Sequence, residues 1–210
     1  MTTTALAVLV AAWTLTTGAS YSLVSHLGMR PVTSVATNRP EVGLLVDAPA
    51  QAVPSLASAL AHQGIHASFA IAQAPARTEL AAIGTGNQAI PRLGGGGLWR
   101  WLETGDQLHR LNLPLGYSGR HHFVYASSGP SIGQWLMAHS AGGRLVGGAV
   151  RLRRPGDRLG PLRAGEVVEI DTSSPRAVVA IASRLRWRLH AQGLHGVCVG
   201  RLMRDAGQPV

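Results

Sequence analysis

Residues 41–72, EVGLLVDAPAQAVPSLASALAHQGIHASFAIA, decide the fold. Residues 42–46 form an apolar run of strand length, stopped by Asp47-Ala48-Pro49 with a carboxylate at its carboxyl end. Pro54 suits the first turn of a helix, where a missing N–H costs nothing, and Leu56, Ala59 and Leu60 give that helix an apolar face. Gly64 supplies a left-handed cap, and residues 66–72 read as the next strand. Strand, helix and strand in this order predict a parallel βαβ unit. An acidic residue at the carboxyl end of such a strand stands where α/β folds assemble their sites.

Working outward, the alternation continues. The pattern predicts a short helix over 77–83, a glycine-rich connection over 85–97, a helix over 98–110, a strand over 122–126 and a helix over 131–141. It then predicts a strand over 144–150, a basic loop over 151–164, a strand over 167–171, a helix over 175–192 and a last strand over 196–200. This calls for a parallel sheet covered by helices, an α/β class. The two ends of the domain echo each other: Gln63-Gly64-Ile65-His66 closes the first helix, and Gln192-Gly193-Leu194-His195 closes the last. Similar strand–acid–helix–glycine units are expected of a (β/α) barrel.

Composition narrows the chemistry. All 19 basic residues are Arg, the formal charge is +9, and the chain has no Lys, which excludes a Schiff-base mechanism. The positive field favours anionic partners such as acidic glycans or lipid headgroups. Nucleic acid is not expected, because no aromatic–basic interleaving or recognised motif accompanies the charge. Cys198 is alone in an apolar run, so there is no disulfide framework. Residues 1–29 carry no Asp, Glu, Lys or Arg. Residues 1–27 read as a membrane anchor, a cleaved signal segment or a buried helix, followed by a linker over 28–40 and a domain over 41–205. Arg30 and Arg39 after the apolar run favour a cytoplasmic domain by the positive-inside rule.

The 41–72 segment resembles the opening of the polysaccharide deacetylase (NodB-homology) family, whose first strand ends Thr-Phe-Asp-Asp-Gly-Pro and whose next reads Gly-(Val/Ile)-x-Ala-(Thr/Ser)-Phe-Phe. Here Gly64-Ile65-His66-Ala67-Ser68-Phe69-Ala70 keeps the second motif nearly intact. Leu44-Leu45-Val46-Asp47-Ala48-Pro49 keeps one Asp and the Pro. Leu162-Arg163-Ala164-Gly165-Glu166-Val167-Val168 is similar to the family's Leu-x-x-Gly-Asp-Ile-Val, and residues 193–202 to its final strand. The resemblance implies a distorted, incomplete (β/α) barrel, here preceded by an N-terminal hydrophobic helix, and a location in the bacterial envelope, secreted or membrane-anchored.

In the family a divalent metal such as zinc, held by one Asp and two His, activates water and the acetamide carbonyl. A second Asp is the base, an Arg orients it and a late His is the acid. By this resemblance Asp47 takes the metal-binding position, Val46 replaces the base, and Arg92 falls where the first His ligand belongs. Residues 123–129 keep only the Phe and Gly of the Arg-bearing motif, and Asp171 stands at the acid's position without a His. The expectation is a domain with vestigial Asp47 and Asp171, no cofactor, and no metal unless Asp47 holds one. A glycan would meet Asp47, Tyr125, His122, Asp171 and Arg92. It would serve as a glycan-binding or partner-stabilising subunit, with a glycan or anionic envelope polymer, a membrane-bound glycosyltransferase and the membrane itself as partners. The alternatives are a metal-dependent acyl hydrolase with a rearranged site and a structural membrane partner of an export or glycosyltransferase complex.

Overall fold

The computed structural model describes residues 30–72, 81, 83–93, 122–126, 132–140 and 142–207. The elements expected over 1–27 and 98–110 lie outside these residues, as does nearly all of 77–83. Among the described residues, eight strands form one sheet: β1 (Glu41–Asp47), β2 (Ser68–Ile71), β3 (Gln88–Leu93), β4 (His122–Ala126), β5 (Gly143–Val146), β6 (Val150–Leu152), β7 (Val167–Asp171) and β8 (His195–Cys198). The order is β5-β4-β3-β2-β1-β7-β6, and every strand pairing is parallel. One edge of β1 is shared, with Glu41–Leu44 pairing β8 and Leu45–Asp47 pairing β2. Four helices among the described residues accompany the sheet: α1 (Val53–Ala61, entered through a 3-10 turn at Ala50–Ala52), α2 (Ile132–Ser140), α3 (Pro175–Ala191) and α4 (Val199–Asp205).

The sheet is curled into an incomplete barrel. β5 and β6 stand at opposite ends of the strand order, yet only Gly147, Gly148 and Ala149 separate them in the chain. So few residues span little more than 10 Å, and the sheet's two edges must therefore come close together. Residues 32–35 stitch the same seam, with Val32 N donating to Leu145 O (2.8 Å), Val167 N to Thr33 O (2.8 Å) and Val35 N to Gly165 O (2.9 Å).

Strand alternation separates two cores. Val42, Leu44 and Val46 face outward and pack with Leu56, Leu60, Val178, Ile181 and Leu185 of α1 and α3. Leu45, Ala70, Ile90, Phe123, Val167 and Val197 fill the barrel interior with Leu202 and Met203 of α4. α1 buries Val53, Leu56, Ala57 and Leu60, so Ala57 rather than Ala59 completes its apolar face. α3 begins where the Ser174 side chain accepts from Ala177 N at 3.3 Å with Pro175 next, a hydroxyl N-cap followed by a pre-set φ. The twin ends of α1 and α3 share one geometry: Gly64 and Gly193 have φ of +70° and +67°, and Ile65 N and Leu194 N return to Leu60 O and Leu189 O.

Three expectations are corrected. The connection over 85–97 contains strand β3, in which Pro91 precedes the two residues, Arg92 and Leu93, that pair with β4. The basic loop over 151–164 begins inside strand β6. The last strand ends at Cys198 and turns at once into α4, which plugs the barrel from below. Nothing local caps α4. Its first N–H groups are taken by distant side chains, Val199 N donating to Ser68 Oγ (3.0 Å) and Gly200 N to Gln88 Oε1 (3.0 Å).

Candidate functional site

The carboxyl ends of β1, β3, β4, β6 and β7 bring an ionic cluster together above the interior core. Asp47 and Asp171 are partners in the β1–β7 register, so both carboxylates stand at the same end of the sheet. Glu169 is two residues before Asp171 and faces the same way. It is fully buried, and four donors surround it. Tyr125 Oη donates to Glu169 Oε1 at 2.7 Å, and Arg151 Nε approaches the same oxygen at 2.7 Å. Gly148 N and Arg151 Nη2 donate to Oε2 at 3.0 and 3.3 Å. A Cβ on Gly148 would lie 2.4 Å from Glu169 Cβ, so only glycine lets the chain cross the seam this close to β7.

Arg151 extends the cluster to Asp171 Oδ2 at 4.0 Å, which Arg153 Nε meets at 3.1 Å. On the opposite side, Arg92 Nη1 lies 3.1 Å from Asp47 Oδ1. The approach is off the N–H axis, for that oxygen has no hydrogen bond, and attraction between the two is Coulombic. Burial pushes the Asp47 carboxyl up to about 6; Arg92 opposes the rise, and the neighbouring Asp171 and Glu169 add to it. Burial also pushes the Tyr125 phenol far above its ordinary range, reinforced by Glu169. Burial alone would lower Arg151, but Glu169, Tyr125 and Asp171 together outweigh it and hold the guanidinium above its ordinary value.

The expected site residues are distributed as follows. Asp47, Asp171 and Arg92 meet at the mouth, with Asp47 5% exposed and the Arg92 side chain 33%. Tyr125 is 0% exposed and its hydroxyl is committed to Glu169, so it is a strut beneath the cleft and not a contact for a glycan, a correction. His122 opens β4 and pairs through its backbone with Gly143, while its side chain lies outside the described residues. Val46 packs on the opposite face of β1 from Asp47, under the helices. Glu169 and Arg151 were not anticipated. The signal was present, since β7 alternates Val167, Glu169 and Asp171 on one face and β6 sends Arg151 to the interior between Val150 and Leu152.

The residues present do not fit a divalent ion. Arg92 puts a fixed positive charge against the one carboxylate at a ligand position, and Arg cannot ligate a cation. Asp171 is engaged by Arg153. Among the described residues no three His, Cys, Asp or Glu side chains converge on a common point. The arrangement offers instead three guanidinium groups, those of Arg92, Arg151 and Arg153, partly open to solvent above a floor of carboxylates.

No family model and no curated protein matches the sequence. Solved structures do match. A peptidoglycan N-acetylglucosamine deacetylase superposes with a TM-score of 0.64 at 16% identity, covering 84% of this chain and 94% of that one. A family 4 carbohydrate esterase pseudoenzyme from Bacillus anthracis gives 0.60 at 14% identity over 84% and 69% of the two chains. The chitin deacetylase of Colletotrichum lindemuthianum gives 0.61 at 14% identity over 82% and 91%. The fold of this chain is that of the NodB-homology, family 4 carbohydrate esterase deacetylases.

Proposed function

We propose that this deacetylase-fold domain binds glycan without hydrolysing it. It would act as a glycan-binding or partner-stabilising subunit in bacterial cell-envelope polysaccharide metabolism, secreted or tethered by residues 1–27. No helix among the described residues is long and apolar enough to cross a membrane, and residues 1–27 lie outside them. The observation that carries the proposal is the Arg92–Asp47 pair. It replaces a metal and its water by an internal ion pair at the mouth of a cleft that still presents hydrogen-bond donors to hydroxyl groups. Two of the similar structures are deacetylases of peptidoglycan and chitin, and a third is a pseudoenzyme, so the fold also occurs in a protein described as inactive. A mutant of that pseudoenzyme has restored enzymatic activity; here ligands and base are both replaced.

A second reading, a hydrolase with a rearranged site, draws on Asp47 alone. A carboxyl held at about 6 changes its protonation state about one pH unit below neutrality, close to where a general acid or base works best. Two measurements on the purified chain separate the readings. Saturable binding of an N-acetylglucosamine tetramer, weakened by Arg92→Ala and without stoichiometric metal in elemental analysis, supports the binding domain. A stoichiometric divalent ion that is lost in Asp47→Ala supports the hydrolase.

A further inference from the structure

A cavity lies at the other end of the barrel from the ionic cluster. It has a volume of about 610 Å³, the size range of small-ligand sites, and sits among the C-terminal turns of α1 and α3 and the start of β8. Its walls are the two echoed motifs. Gln63, Gly64 and Ile65 supply one side, and His190, Gly193, Leu194 and His195 the other. Both turns end their helices through a left-handed glycine, and nothing lies within 4 Å of where a Cβ would stand on either. The matched caps thus leave open space where two helix ends would otherwise be covered.

Trp187 forms a further wall and is 71% exposed, an unusual position for the largest apolar side chain. An indole face is electron-rich and attracts the weakly positive C–H edge groups of a saturated ring. Ser183 and Gln63, joined by a 3.4 Å hydrogen bond, stand beside it with the hydroxyl and amide that sugar hydroxyls pair with. The lining contains Arg186, His190 and His195 but no Asp or Glu. A saturated ring with a C–H face, hydroxyl groups and a negative charge fits this set: the C–H face on Trp187, the charge at Arg186, the hydroxyls at Ser183 and Gln63.

We propose that this cavity is a second saccharide site, selective for acidic pyranose sugars such as uronic acids. It is separate from the cleft at the carboxyl ends of the strands and does not depend on what that cleft binds. The test follows the indole N–H NMR signal of Trp187 in the full chain, assigned by its disappearance in Trp187→Phe. The probes are a hyaluronan tetrasaccharide, alternating glucuronate and N-acetylglucosamine, and the neutral N-acetylglucosamine tetramer. The expected result is a saturable shift of the Trp187 signal, at least tenfold tighter with the acidic probe, unchanged in Arg92→Ala. In Arg186→Gln the acidic preference should vanish while the neutral probe binds as before. A Trp187 signal that stays fixed under both probes, or one that moves with no preference for the acidic probe, overturns the proposal. Binding lost in Arg92→Ala while Trp187 stays silent would place glycan in the cleft alone.

Discussion

Asp47 is held where its charge is disfavoured. A carboxyl whose folded pKa lies above its unfolded value binds more protons in the folded chain, so its contribution to stability declines as pH rises. For Asp47 the window runs from 3.8 to about 6. A gap of that size corresponds to on the order of 2–3 kcal/mol. Asp47→Asn should therefore match the wild type below pH 4 and exceed it above pH 6, by an amount approaching that figure in urea unfolding. Identical pH profiles for the two proteins would show that Arg92 cancels the burial cost. Its neighbour Val46 behaves differently, because it faces the helix-packed core and is 0% exposed. Val46→Asp would bury a carboxylate among Leu and Val side chains with no partner. A loss of about 3 kcal/mol or more is expected, with no gain of hydrolysis. A variant as stable as the wild type would mean that this side chain reaches the cleft after all.

At the scale of elements, the seam between β5, β6 and β7 depends on Glu169. Its carboxylate gathers Tyr125 from β4, Gly148 from the crossing strap and Arg151 from β6. Glu169→Gln removes the charge while keeping the shape, and strands Arg151 beside a neutral group. Because Arg151 is about one-third exposed it can turn partly to water, and a cost of about 2–4 kcal/mol is expected in denaturant unfolding. Tyr125→Phe removes one hydrogen bond to a charged group and should cost about 1.5–3 kcal/mol. A double variant costing less than the sum would reflect the hydrogen bond that Tyr125 and Glu169 share. The same elements show what a sequence can and cannot reveal. β1, α1, β7 and α3 carry local signals: an apolar run, a proline start, a glycine stop. α4 has none, because Ser68 and Gln88, which receive its first N–H groups, are 131 and 112 positions away in the chain. β3 is concealed by Pro91 and by its glycine-rich surroundings, and it is this strand that delivers Arg92 to Asp47. Asp47, Asp171 and Arg92 could be selected by their place in the motifs. Glu169 was legible from its place on the same face of β7 as Asp171, whereas Arg151 could be selected only once β6 was recognised as a strand with an inward face.

At the scale of the whole molecule, the framework of a deacetylase is joined to a cleft of different electrostatics. Curling the sheet needs only apolar alternation, tight caps and a glycine strap. Those features are intact, and none of them depends on the residues that would carry out the reaction. Hydrolysis of an acetamide demands more. A metal must be held by several neutral or anionic ligands, and at matching positions this chain offers Asp47, with a guanidinium 3.1 Å away. General-base catalysis typically contributes 10²–10⁴-fold on its own, and Val46 cannot supply it. We therefore expect no measurable acetate release from N-acetylglucosamine oligomers with added zinc or cobalt. Arg92→Ala should not rescue turnover, since removing the guanidinium leaves one carboxylate and no base. Acetate release that requires metal and disappears in Asp47→Ala would demonstrate a rebuilt catalytic centre and overturn the view of this cleft as a binding site.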